Sequence, residues 1–80
     1  MAWSSSTFSK LDLFEKAEII NLNGSYVTSR VTSDTIIVLY SINKLFVELV
    51  YEKETNVVFK IEVIPFDELS AIYLNGIIVE

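Results

Sequence analysis

The sequence predicts an α+β domain in which two helices flank a four-stranded antiparallel meander, in the order α-β-β-β-β-α. Apolar residues recur at helical spacing near both ends of the chain, whereas between residues 25 and 64 they alternate with a period of two. Short polar stretches interrupt the alternating part, which divides it into four strands. A meander of this kind has one strongly apolar face, and we expect both helices to pack on that one face.

The first helix is predicted to begin near Ser9, a good N-cap residue, with Asp12 placed three residues later as in a capping box. Residues 1–8 are expected to form a loose N-terminal segment, and residues 9–80 a single domain. Gly24 is predicted to end the helix in the left-handed conformation. The apolar positions expected to face the sheet are Leu13, Phe14, Ala17 and Ile20.

The four strands are predicted over residues 26–31, 36–42, 45–51 and 57–64, and Pro65 stops the last one. Residues 32–34 have the composition of a turn, and Asn43 with Lys44 fits a two-residue hairpin loop. That loop would place Tyr40 opposite Val47.

Between the third and fourth strands, the apolar pattern predicts Leu49 opposite Phe59 and Tyr51 opposite Val57. The same register places Glu48 opposite Lys60, as a cross-strand ion pair.

Two readings of residues 66–80 remain open. Phe66, Leu69, Ile72 and Tyr73 lie at helical spacing after Asp67, which could cap a helix. Asn75 and Gly76 between apolar residues are instead typical of a hairpin. We favour the helix, because residues 67–71 are poor strand formers.

Composition excludes several classes of function. The chain has 80 residues, 51% of them hydrophobic, and a formal net charge of −5, which argues against direct binding of nucleic acid. It contains neither Cys nor His, so the usual zinc ligands and the usual base for a nucleophile are missing, and its two glycines cannot form a phosphate-binding loop. We therefore expect no catalytic residue, metal or cofactor. No apolar run approaches the roughly 20 residues of a membrane span, and no signal-peptide pattern is present, which predicts a cytoplasmic protein without membrane contact.

The second face of the predicted sheet mixes apolar and charged residues, which suggests an interface. We therefore predict a non-enzymatic protein-interaction domain whose partner is another protein or a second copy, giving a homodimer. The candidate interface residues are Ile37, Leu39, Phe46, Glu48, Val50, Val58, Lys60 and Glu62.

Two other functions remain as alternatives. An acidic inhibitor or decoy could present carboxylates to a basic, nucleic-acid-binding protein, using Glu48, Glu52, Glu54 and Glu62. An enzyme could use Glu48, Glu52 and Glu62 as acid and base, which is the weakest of the three hypotheses.

A resemblance to a group of known proteins rests on scattered residues of the predicted helix and strands. They are Lys16, Ala17, Gly24, Arg30, Leu39, Tyr40, Phe46, Val47, Glu48, Tyr51, Asn56 and Ile61. With this pattern, residues 10–75 resemble small uncharacterised bacterial α+β proteins, although the turn at residues 32–34 departs from it. The resemblance implies a short intracellular protein and transfers no catalytic residue or cofactor.

Overall fold

The structure, a computed structural model, describes residues 4–74. Two helices come first, α1 (Ser5–Ser9) and α2 (Leu13–Asn23). The strands follow as β1 (Ser25–Val31), β2 (Thr35–Ile42), β3 (Leu45–Glu52) and β4 (Val58–Ile64), and the described chain ends with α3 (Phe66–Leu69) and a π-helical turn (Ser70–Leu74). The strands form one antiparallel sheet in the order β1-β2-β3-β4. The predicted α+β class and the meander are therefore confirmed.

The hairpin of β2 and β3 has the predicted register. Tyr40 lies opposite Val47, and Ile42 lies opposite Leu45 across the two-residue loop. Asn43 has φ 55°, in the left-handed region that asparagine tolerates better than most residues. The loop length and the apolar alternation agree on one register, and a slip of one residue would expose the whole apolar set.

The hairpin of β1 and β2 also closes tightly. The Thr32 hydroxyl accepts hydrogen bonds from the backbone N–H groups of Asp34 (3.3 Å) and Thr35 (2.9 Å). The Thr32 N–H donates to the Thr35 carbonyl at 2.9 Å, which closes the ladder around Ser33 and Asp34. Nearer the start of β1, a bulge between Tyr26 and Thr28 shifts the register.

The predicted register of β3 and β4 is wrong by two residues along most of the pair and by one residue at Tyr51. Leu49 lies opposite Ile61 rather than Phe59, and Tyr51 lies opposite Val58 rather than Val57. A slip of two residues keeps every side chain on its own face, so the apolar pattern could not distinguish the two registers. An irregularity beside Tyr51 absorbs one extra residue of β4, and Phe59 is left 53% exposed.

We call the sheet face that carries Tyr40, Val47 and Ile61 the inner face, and the opposite face, which carries Leu39 and Glu48, the outer face. The helices α1 and α2 pack on the inner face. Its buried core consists of Phe8, Ile20, Ile42, Val47 and Ile61. This cluster contains no polar side chain, so it is held by the burial of apolar surface alone.

The N-terminal residues need a correction. Residues 1–8 were expected to be loose, yet residues 5–9 form α1 and the Phe8 side chain is completely buried. Ser9 does not cap the long helix. Asp12 does, because it accepts the Glu15 N–H at 2.8 Å while the Glu15 carboxylate accepts the Asp12 N–H at 3.2 Å. Phe14, which was expected to face the sheet, is 72% exposed instead.

Gly24 joins α2 to β1 in an extended conformation (φ −80°, ψ 148°), and the prediction of a left-handed cap is wrong. Glycine is nevertheless required by close approach. A Cβ atom here would lie 2.6 Å from the carbonyl oxygen of Ile20, and the Gly24 N–H donates to that same oxygen at 2.8 Å. The helix can therefore pass directly into the first strand.

The C-terminal segment is helical as far as Leu74, as the favoured reading predicted, while Asn75 and Gly76 lie outside the described residues. Its position differs from the expectation that both helices cover one face. Tyr73 donates a hydrogen bond to Glu48, which points to the outer face. The sheet is therefore contacted by α1 and α2 on its inner face and by the C-terminal segment on its outer face.

Candidate functional site

The predicted interface residues do not form one exposed patch. Ile37, Leu39, Val50 and Glu48 are all buried, Glu48 to 6% exposure, and Phe46 is half-buried. Half of the predicted interface residues are therefore buried in the interior rather than on the surface.

The remaining three residues are divided between the two faces. The irregularity beside Tyr51 places Val58 on the inner face, where it packs against the core cluster. Lys60 and Glu62 lie exposed on the outer face and form an ion pair with each other at 3.4 Å.

The centre of the outer face holds a cluster of three polar side chains, Arg30, Glu48 and Tyr73. An Arg30 guanidinium nitrogen lies 3.1 Å from Glu48 Oε2, and the Tyr73 hydroxyl donates to the same oxygen at 2.5 Å. Arg30 Nε donates to the Tyr73 hydroxyl at 3.4 Å, and the guanidinium carbon lies 5.5 Å from the centre of the Tyr73 ring. Each group thus contacts both of the others, and the buried carboxylate has a cation and a hydrogen-bond donor.

The strand order explains how the cluster forms. Arg30 lies opposite Ile37, whereas Glu48 lies opposite Leu39. Arg30 and Glu48 are therefore two strands apart, and the long Arg30 side chain crosses the buried apolar residues of β2 to reach the carboxylate. Its aliphatic part can cover that apolar surface while the guanidinium stays partly exposed, at 40% for the side chain.

The pKa values of Tyr73 and Arg30 indicate that the cluster is a structural contact. Burial, followed by the hydrogen bond to Glu48, raises the pKa of Tyr73 to about 12. The hydrogen bond with Tyr73 is the largest cause that raises the pKa of Arg30 above its usual value. At neutral pH the phenol therefore keeps its proton and the guanidinium keeps its charge. The three groups are engaged with one another, and they tie the C-terminal segment to β1 and β3.

The predicted ion pair between Glu48 and Lys60 is wrong. Lys60 lies opposite Val50, and Glu48 lies opposite Glu62. Two carboxylates directly opposite each other on a sheet repel, but each has its own cation here, Arg30 for Glu48 and Lys60 for Glu62.

The four glutamates of the inhibitor hypothesis are not on one surface. Glu48 is buried, whereas Glu62 is exposed and paired with Lys60. Glu52 and Glu54 lie at the turn end of the sheet, where the Lys53 N–H donates to the carbonyl of Asp34. The acidic residues that could meet a basic partner are therefore spread over several parts of the fold.

Other kinds of site are not apparent in the described part of the chain. Within residues 4–74, no group of three or more carboxylates is arranged to hold a metal ion. None of the described helices combines the length and apolar character needed to cross a membrane.

The two edges of the sheet differ in how they are protected. In β3, the Glu52 N–H donates to the carbonyl of Val57, on the side of β4. Backbone groups alternate in direction along a strand, so those of Leu49, three residues earlier, point toward β2. Ile61, opposite Leu49, therefore points its own carbonyl to the open side of β4. There the Lys16 side chain donates to it at 3.3 Å, and Pro65 ends the strand. A lysine and a proline are common protections of an edge strand.

Within residues 4–74, the edge at β1 has neither of these protections. Thr32 pairs with Thr35 through the ladder, so by alternation Ser29 and Val31 point their backbone groups away from β2. The only charged residue of β1 is Arg30, which is engaged with Glu48. Several side chains along this edge are exposed, Tyr26 by 63%, Val27 by 45% and Val31 by 62%. This open edge is the candidate functional site.

Sequence reasoning missed both the cluster and the edge. The lone charges of two predicted strands, Arg30 in the first and Glu48 in the third, were a usable signal, because a buried charge requires a partner. The predicted meander already places β1 at an edge of the sheet, but the contrast with β4 required the contact of Lys16 with Ile61, which the sequence does not show. Comparisons of this chain with protein-family models, with curated proteins and with solved structures found no match.

Proposed function

We propose that this chain is a non-enzymatic protein-interaction domain that binds its partner through the open edge of β1. The observation that supports the proposal is the contrast between the two edges in the described part of the chain, where β4 has a lysine and a proline at its margin and β1 has neither. An edge strand of this kind can accept a further strand by main-chain hydrogen bonding, and its exposed side chains provide selectivity.

The buried cluster is consistent with the same function. Arg30, the one charge in β1, is turned toward Glu48 and Tyr73 on the outer face. The edge therefore presents neutral polar and apolar groups, and a partner would not have to desolvate an unpaired charge. The distribution of exposed apolar side chains moves the proposed interface from the outer face, expected from the sequence, to the edge.

A matched pair of edge variants tests the proposal. Tagged wild-type chain, Val31→Lys and Phe59→Lys are used to capture proteins from a lysate of the source organism, and the captured proteins are identified by mass spectrometry. Val31 and Phe59 are similarly exposed, at 62% and 53%, and lie on opposite edges. We expect a partner that the wild type and Phe59→Lys retain and Val31→Lys loses. Equal capture by all three chains, or loss with Phe59→Lys alone, would contradict binding through β1.

A further inference from the structure

We infer that the partner of β1 is a second copy of this chain, paired antiparallel about a two-fold axis at Ser29. The inference rests on the proposed function and specifies its partner. The pairing would join two four-stranded sheets into one sheet of eight strands, with the same surface used by both copies. It follows from the charges and the spacing of residues along β1.

The charge of β1 permits self-pairing although the whole chain is acidic. The chain has a net charge of −5, but the sequence of β1, SYVTSRV, contains no carboxylate. Asp34 is in the turn that follows β1. In an antiparallel pair the two turns lie at opposite ends of the new ladder, roughly 20 Å apart for seven residues, which exceeds the screening distance in physiological salt.

The register follows from which backbone groups point outward. The backbone groups of Ser29 and Val31 face the open side and can hydrogen-bond to a second copy. The two-fold axis can therefore pass through one of these two residues or midway between them, at Arg30. A ladder centred on Arg30 would place two guanidinium groups side by side, and one centred on Val31 would extend into the turn. A ladder centred on Ser29 avoids both and places Arg30 opposite Thr28 of the second copy.

The same register brings apolar side chains together. With Ser29 at the axis, Val31 of each copy lies opposite Val27 of the other. Val31 also begins an apolar row across the inner face of its own sheet, through Ile36, Tyr51 and Val58. Val31 is exposed by 62%, so the second copy would cover the open end of an existing apolar row. The central strip is short compared with interfaces that bury about 1,200–2,000 Å², so we expect dissociation at low concentration.

Single-cysteine variants test both the partner and the register, because the wild-type chain has no cysteine. Residues at the two-fold axis of such a ladder have Cα atoms about 5.5 Å apart, which a disulfide can bridge. Ser29→Cys, Val31→Cys and Lys60→Cys are oxidised gently at tens of micromolar chain and separated without reductant. All three positions are exposed, and Lys60 lies on the other edge strand. We expect at least about five times more cross-linked dimer from Ser29→Cys than from either control.

The molar mass of the wild type and of Val31→Lys is measured in parallel by light scattering over a range of concentrations. A dimeric wild type, a monomeric Val31→Lys and preferential cross-linking of Ser29→Cys would support the inference. Preferential cross-linking of Val31→Cys, or equal yields from all three variants, would overturn the register. A monomeric wild type at every concentration would overturn the second copy as partner. Binding of a different protein through β1 would still be decided by the capture experiment.

Discussion

The two faces of the sheet both bury apolar residues, but the outer face also buries a polar cluster. On the inner face, α1 and α2 bring Phe8 and Ile20 against Ile42, Val47 and Ile61, and this cluster contains no polar group. On the outer face, the C-terminal segment is tied to the sheet by Tyr73, which meets a buried carboxylate and an arginine. An apolar contact tolerates small shifts of geometry, whereas a buried hydrogen-bonded cluster is stable only while all of its groups remain paired.

This difference suggests that the two faces contribute differently to the stability of a very small domain. A chain of 80 residues without disulfides has a small margin of stability, and apolar burial on both faces contributes to it, since Ile37, Leu39 and Val50 are buried on the outer face. The outer cluster adds specificity of position, since it fixes where the C-terminal segment lies and neutralises the charge of β1. We expect substitutions on the two faces to differ in size and in their dependence on pH.

The largest effect is expected on the inner face, from Phe8→Ala. The Phe8 side chain is completely buried, so its truncation should lower the free energy of unfolding by about 3–5 kcal/mol. Urea denaturation followed by circular dichroism measures the change. If the alanine variant does not fold, Phe8→Leu should retain the fold with a smaller loss. A loss below about 1 kcal/mol for Phe8→Ala would mean that α1 contributes little to the core.

The next effect is expected on the outer face, from Glu48→Ala. Removing the carboxylate takes the acceptor from the Tyr73 hydroxyl and the counterion from Arg30, but Arg30 is 40% exposed and can be hydrated. We expect a loss of about 2–3 kcal/mol in the free energy of unfolding. A double-mutant cycle with Tyr73→Phe should show strong coupling, because both changes remove the same hydrogen bond. Additive losses would contradict the cluster.

The hairpins and the start of α2 show which parts of the fold the sequence could predict. The register of β2 and β3 was predictable, because the two-residue loop fixes it and the apolar alternation agrees with it. The register of β3 and β4 was not, because the longer connection does not fix it and a slip by two preserves the faces. The start of α2 was misplaced for a similar reason, since Ser9 and Asp12 are both good caps.

The cluster and the open edge depend on long-range geometry. Arg30 meets Glu48 only because β1 and β3 lie on either side of β2, and Tyr73 meets them only because the C-terminal segment lies on the outer face. Local apolar spacing gives no information about which face a terminal helix covers. The excess of apolar residues did correctly indicate that the second face would not be a simple solvated surface, since Ile37, Leu39 and Val50 are buried there.

A smaller effect, confined to alkaline pH, is expected from Tyr73. Its pKa is raised to about 12, whereas the phenol in the unfolded chain ionises near its ordinary value of about 10. Between these values the unfolded chain binds fewer protons, so stability falls as the pH rises from about 10 to about 12 and is unaffected below that range. Urea titrations at about pH 9 and pH 11 should show a larger decrease for the wild type than for Tyr73→Phe. Equal decreases would mean that the phenol is not held by Glu48.

The smallest effect is expected from Glu62→Gln, which removes a carboxylate from the same face as Glu48. Its ion pair with Lys60 spans 3.4 Å, but both side chains are about half exposed, at 51% for Glu62 and 52% for Lys60, so water and salt screen it. The substitution also removes the repulsion from Glu48 across the two strands. These contributions oppose each other, and we expect a change within about 0.5 kcal/mol in urea denaturation. A loss as large as that of Glu48→Ala would mean that burial does not explain the difference in stability expected between the two glutamates. The outer face would then depend on one network of four charges, those of Arg30, Glu48, Lys60 and Glu62.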